Sequence, residues 1–283
     1  MASNQARGKA YLSACAIYRD EAPYLREWVA FHRLVGVERF YLYNNRSSDD
    51  HLGALAPYIE DGTVEVRDWP LYPGQIAAYE HCAAEHRDDS RWVAFIDIDE
   101  FLFSPTGRPV SELLVEFEAW PGVGVNRTVF GTSGHVSPPP GLVIENYVRR
   151  ARDENTMTLI KSIADPARID RSQNCHAFRY RDEAFAVDET KRLIEHPVAQ
   201  TESMVRSLLV VNHYWTKSEE ECLRKFTKPT AYGTPRLDAA HEHALSGTLN
   251  EVLDEDILQY LPALRQELAR VERRSSEGVK HPA

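Results

Sequence analysis

From residue 10 onward, short apolar β-rich runs alternate with stretches of helical period, and no other feature restricts the fold of this chain so much. "AYLSACAIY" (10–18) reads as a strand and "PYLREWVAFHRLVG" as a helix. Pro23 stands at a first helical position, Tyr24, Trp28, Phe31 and Val35 recur at helical spacing, and Gly36 falls where a C-terminal cap belongs. "VERFYLY" (37–43) is a second strand, "SSDDHLGALAPYIEDG" a helix capped by Ser47 or Ser48 and ended at Gly62, and "TVEVRDW" (63–69) a third strand. "QIAAYEHCAAEHR" (75–87) and "RWVAFIDI" repeat the pattern a fourth time. Such alternation with short connections predicts an α/β fold: a mostly parallel, Rossmann-type sheet flanked by helices.

Sheets of this kind bind ligands beyond the carboxyl ends of their strands. Four polar clusters fall on that edge: "RDE" (Arg19, Asp20, Glu21), "NNRSSDD" (Asn44 to Asp50), "DWPLYPGQ" (Asp68 to Gln75) and "DIDE" (Asp97 to Glu100). After residue 104 the regularity weakens. A helix is expected over 110–120 and a strand over "GVGVNRTVFG". "TSGHVSPPPG" (132–141) reads as a loop, "SLLVVNHYWTKSEEECLRKF" (207–226) as strand, turn and helix, and 255–274 as a final amphipathic helix before a disordered tail (275–283). No repeat or linker divides the chain, so one domain is expected. Within it a regular half, 10–125, and a less regular half, 126–254, are expected.

In "WVAFIDIDEFLF" (92–103), three acids interrupt an apolar run, and an unpaired buried carboxylate costs several kcal/mol even after relaxation, on the order of 3–5. Residues two apart in a strand share a face, so Asp97 and Asp99 would project together and repel unless a cation lies between them. Carboxylate oxygen suits Mg²⁺, Mn²⁺ or Ca²⁺. His213, closing "VVNH", would favour Mn²⁺ as a further ligand. Glu100 would point to the opposite face, holding a loop or orienting the ligands. The competing reading is a solvated loop without a ligand.

Lys and Arg number 33 against 43 Asp and Glu, a net charge of −10 that argues against bulk binding to nucleic-acid phosphates. No apolar run reaches the roughly 20 residues of a membrane span, and the first residues lack a signal-like segment, so a cytoplasmic protein is expected. Cys15, Cys82, Cys175 and Cys222 are widely spaced and read as buried free thiols.

The ordered set "RDEAPYLREWVAFHRLVGVERFYLYNNRSSD", "WVAFIDIDEF", "GVNRTVFGTSGH", "KSI" and "NHYWTKSEEE" resembles the glycosyltransferase family 92 proteins and their bacterial relatives among the family 2-like GT-A glycosyltransferases, from about residue 10 to about 228. The resemblance implies a GT-A fold and metal-dependent, inverting transfer of a sugar, galactose or another hexose, from a nucleotide sugar, commonly UDP-linked, to a saccharide hydroxyl. Asp97 and Asp99 match the family's D-x-D motif. Arg19, Asp20 and Glu21 occupy the place of a Lys-Asn-Glu-like turn that helps hold the nucleotide. Asn44 and Asn45 stand where such proteins carry Asp-Asn, putting an amide at the position that often meets uridine.

The chemistry asks for the same parts. Charge grows on the departing diphosphate, and a metal with nearby cations stabilises it; Lys161 and Lys217 are the candidates, and Gln75 lies on the same edge. The acceptor must lose a proton to a base, for which Asp188, closing an apolar run, and His135 lead a set that includes Glu145 and Glu189. Trp69, Trp92, Trp120 and Tyr147 are candidate sugar platforms, although Trp28 and Trp92 fit a core better. Two rivals remain open: a Mg²⁺-dependent nucleotidyltransferase or phosphohydrolase, and a non-catalytic nucleotide-sugar binder.

Overall fold

A computed structural model describes residues 8–195, 199–227 and 247–278. The alternation is present: β1 (Ala10–Tyr18), α1 (Ala22–Leu34), β2 (Arg39–Asn44), α2 (His51–Glu60), β3 (Val64–Asp68), α3 (Gln75–Glu85) and β4 (Ser90–Phe95). Pro23 opens α1 as expected, and Gly36 after it takes φ +102°, a left-handed conformation that glycine adopts without a Cβ penalty. The cap of α2 is Asp50 rather than Ser47 or Ser48: its carboxylate accepts from Gly53 N at 3.0 Å. Both serines are engaged by Asp20 instead, whose N–H donates to Ser47 Oγ while its side chain accepts from Ser48.

The run 92–103 is not one strand. β4 stops at Phe95, Asp97 to Asp99 form a turn, and β5 (Glu100–Phe103) is a separate strand. The chain continues through a short α4 (Val110–Leu113) that tightens into a 3₁₀ turn over Leu114–Phe117 where one longer helix was expected. Then come β6 (Gly122–Val129), α5 (Val143–Asn146), β7 (Arg149–Arg150), β8 (Ile160–Ala164), β9 (Ile169–Ser172), β10 (Phe178–Tyr180), β11 (Val210–His213), α6 (Glu219–Thr227), β12 (Val252–Leu253) and α7 (Leu261–Gly278). Because α7 runs to Gly278, the expected disorder of 275–283 fails over its first four residues; the other five lie outside the described residues.

Among the described residues, eight strands form one sheet in the order β3-β2-β1-β4-β8-β6-β11-β5, parallel except for β8 and β5. This is the mostly parallel sheet flanked by helices that was expected. Alternation along β1 explains its two faces: Leu12, Ala14, Ala16 and Tyr18 join a core with Trp28 and Val29 of α1, Leu55 of α2 and Leu264 of α7, while Cys15 meets Tyr79 and Cys82 of α3 and Phe178 of β10. Trp28 and Trp92 are completely buried core residues, each contributing about 1.5–3 kcal/mol or more through burial. All four cysteines are buried and free. No helix among the described residues is long and apolar enough to cross a membrane.

The sheet cannot be flat. Four strand spacings of ~4.8 Å would put β4 and β5 about 19 Å apart, the limit of an extended link of that length, yet the link is a tight turn in which Glu100 N donates to Asp97 O at 3.0 Å. β6 supplies the bend by changing partner: residues 122–126 pair with β8, and 127–129 with β11. The far edge thereby curls back beside the end of β4.

Candidate active site

The turn at Asp97–Asp99 is fixed from beneath by backbone contacts. Trp28 Nε1 donates to the carbonyls of both Asp97 (3.1 Å) and Glu100 (2.9 Å), and Tyr214 N to that of Asp99 (2.8 Å). Glu100, completely buried, accepts from Asp97 N at 2.9 Å. It shares Lys161 with Asp97 instead of pointing to the opposite face, because the strand that expectation assumed is broken by the turn.

Each acid meets a cation. Lys161 on β8, buried, lies 2.7 Å from Asp97 Oδ2 and 3.0 Å from Glu100 Oε2. Arg127 on β6 stands 3.5 Å from Glu100 Oε1, and Lys225 in the last turn of α6 is 2.5 Å from Asp99 Oδ2. Burial alone would raise the Asp97 carboxyl, but Lys161 outweighs it and holds it below the ordinary value; for Asp99, Lys225 and then His213 outweigh burial further, keeping it well below. Burial would lower the Lys161 ammonium, yet Asp97 and Glu100 raise it, so it stays charged. His213 is lowered by burial against the pull of Asp99. Its Nδ1 lies 3.1 Å from Arg127 Nη1, and a guanidinium only donates, so neutral His213 carries its proton on Nε2, 3.5 Å from Asp99 Oδ2.

Of the residues expected around this cluster, Gln75 is joined most directly: its Nε2 donates to Asp97 Oδ1 at 2.7 Å, with Tyr79 OH at 3.0 Å on the same oxygen. Asn44 and Asn45 stand on the edge but tie strand ends together. Asn44 donates to Asp68, and Asn45 to the carbonyls of Trp69 and Leu71. Arg19 is exposed beside Asp20, whereas Glu21 lies 3.9 Å from Lys217, whose ammonium covers the Tyr24 ring at 4.1 Å. The two leading base candidates have other engagements. His135 Nε2 is 3.1 Å from Asn146 O. Asp188 accepts from Thr190 and Arg192 within its own turn; the neighbouring Val187 bridges Val123, six residues before the Val129 that pairs with His213, or ~20 Å along β6. Glu189 accepts from Ser207, Leu208 and Leu209. Among the aromatic candidates, Tyr147 donates to Glu221 and Trp69 packs on Tyr43 and His81.

Lys225, Arg127 and Trp215 were not anticipated. Arg127, His213 and Trp215 line a cleft of about 330 Å³ together with Asn155, Met157 and Leu249.

The sequence model of glycosyltransferase family 92 matches residues 10–253. This chain belongs to glycosyltransferase family 92. A family 92 glycosyltransferase of Arabidopsis thaliana is 31% identical over 220 residues, 72% of this chain and 35% of its own length. The chain thus spans about a third of the length of the curated relatives it matches. The galactan beta-1,4-galactosyltransferase GALS2 of Arabidopsis thaliana is 27% identical over 116 residues, 37% of this chain and 22% of its own. S. aureus TarS 1-349, solved in complex with UDP-GlcNAc, overlays on 84% of this chain and 71% of its own with a TM-score of 0.41 and 10% identity, a likeness too distant to bear on the chemistry.

For the divalent ion expected in this family 92 chain, the donor set fits only in part. Among the described residues no group of three or more His, Cys, Asp or Glu side chains is arranged to hold a metal by itself. Asp99 Oδ2 and His213 Nε2 converge to 3.5 Å, about the separation of two donors sharing one ion at ~2.1 Å each, and a carboxylate with an imidazole suits Mn²⁺. Both oxygens of Asp97 are already taken, by Gln75 and Tyr79 on one side and Lys161 on the other.

Proposed function

We propose that this chain transfers a hexosyl group from a nucleotide sugar, UDP-linked, to a saccharide hydroxyl, with the donor's diphosphate at the Asp97–Asp99 turn and the acceptor in the cleft beside His213. The observation that carries the reading is the convergence of that turn, His213 and three cationic side chains at the carboxyl edge of the sheet in a family 92 chain. Galactose is the favoured sugar, after the galactosyltransferase relative.

Asp99 and His213 would hold Mn²⁺ (or Mg²⁺), which when bound would supply positive charge to neutralise the departing diphosphate. The chain's own residues do the rest. Gln75, Tyr79 and Lys161 fix Asp97, and with it the turn that presents Asp99. As the bond from sugar C1 to the β-phosphate oxygen breaks, its electron pair stays on the diphosphate. The acceptor oxygen bonds to C1 and loses its proton to a base. Cations held in place before the reaction stabilise the leaving charge without reorganising. Trp215 offers the acceptor ring an apolar face at the cleft.

The test is a thermal-shift panel of nucleoside diphosphates and their sugars with and without Mn²⁺. UDP with Mn²⁺ at ~100 times its Kd should add roughly 2.7 kcal/mol of stability. A melt that no nucleoside diphosphate moves in Mn²⁺ would overturn the reading. Donor stabilisation without any transfer to saccharides would leave a non-catalytic binder.

A further inference from the structure

The three cations of the site are not equivalent. Lys161 is buried, with 1% of its side chain exposed, and it bridges two acids of the turn; it is a fixed counter-charge. Lys225 is 27% exposed and, among the described residues, pairs with Asp99 Oδ2 and donates to the Trp215 carbonyl at 3.0 Å. The oxygen it takes is the one that faces His213 Nε2. Any divalent ion shared by Asp99 and His213 would therefore meet an ammonium bonded to the same oxygen, and two like charges that close in a half-buried site exclude each other. His213 is set the same way: with Arg127 donating to Nδ1, its proton sits on the nitrogen the ion would need, and Arg127 cannot accept a proton in exchange.

We propose that Lys225 is a resident cation in the metal seat, which leaves Asp99 when the donor arrives and passes to the oxygens of its diphosphate. The proposal rests on the metal-dependent reading above. Lys225 is suited to the transfer because its stem is flexible and its head partly solvated, and because the incoming diphosphate brings negative charge to the place the ion takes from it. Without nucleotide, Lys225 and the ion compete for Asp99. With nucleotide, both are accommodated, so the diphosphate and the ion strengthen one another's binding. By linkage the coupling is reciprocal. The consequence is a site that stays closed to free divalent ions and loads the ion together with its substrate.

The test measures free Mn²⁺ by electron paramagnetic resonance during titration of the full chain, with and without UDP. Lys225→Met keeps the stem and removes the charge; Lys225→Gln serves as a second neutral variant, and circular dichroism melts check folding. In the absence of UDP, the neutral variants should bind Mn²⁺ at least ~10-fold more tightly than wild type, and Lys225→Arg should remain as weak as wild type. The gain in Mn²⁺ affinity on adding UDP should shrink in the neutral variants. Unchanged or weaker Mn²⁺ binding by folded neutral variants, while wild type still gains affinity with UDP, overturns the proposal and leaves the metal reading standing. Arg binding as tightly as Met overturns it too, because charge would then not be the cause. Absence of Mn²⁺ binding to every form, with UDP or without, overturns both.

Discussion

Glu27 of α1 is a carboxylate the site does not use. It is buried and accepts from Val143 N at 2.8 Å and Ile144 N at 3.1 Å, so it pins the start of α5 to α1. Burial pushes its carboxyl up to about 7, against the pull of those two N–H groups. Below pH ~4.5 it is protonated whether folded or unfolded. Between there and about 7 the unfolded chain gives up the proton and the folded chain keeps it, so this group's contribution to stability falls as pH rises and levels off above 7. Glu27→Gln should flatten the pH dependence of denaturant midpoints across pH 5–8 by up to about 3 kcal/mol; an unchanged slope would refute the shift. The residues at the site divide in the same physical way. Asp97, Asp99, Lys161 and His213 were legible because each stands in or at the end of an apolar run, where a polar side chain demands a reason. Lys225 and Arg127 were not: the first follows three glutamates in a helix that reads as solvated, and the second sits in a strand whose partners only the fold supplies.

Among elements, α2 shows how local signals mislead by a few residues. Four capping-type residues precede it, and only the one aligned with Gly53 N can close the first turn. Asp50→Ala should cost about 1 kcal/mol, a fall of roughly 2–4 °C in melting temperature, with nucleotide binding unaltered; a thermal melt with and without UDP checks both. The split of residues 92–103 into β4, turn and β5 was illegible for a different reason. β5 pairs with β11, about 110 residues later, so the run has the composition of one strand while tertiary pairing makes it two. The helix expected over 110–120 is present only in part, as α-helix over Val110–Leu113 and a 3₁₀ turn over Leu114–Phe117: its apolar residues Leu113, Leu114 and Phe117 are all buried, and the tighter turn serves that packing.

At the scale of the molecule, the reading proposed above puts the donor at the Asp97–Asp99 turn and the acceptor in the cleft that His213 lines with Arg127, Trp215 and Met157. Trp215→Ala should raise the KM for a saccharide acceptor by about 10-fold, as a lost stacking face of ~1–1.5 kcal/mol would, and leave UDP-sugar hydrolysis without acceptor unchanged. Equal loss of both activities would place Trp215 with the donor. The parallel order of the first four strands followed from their alternation with helices, whereas the reversal of β8 and β5 did not, because strands joined by long irregular segments carry no directional rule. The curl of the sheet has a mechanical consequence. A four-residue link between the middle strand β4 and the edge strand β5 acts as a tie across an arch, and the acids sit on the tie. Opening the arch at any point along β8, β6 or β11 would pull on that tie, so the spacing of the charges is governed by the curvature of the whole sheet more than by the loops around it.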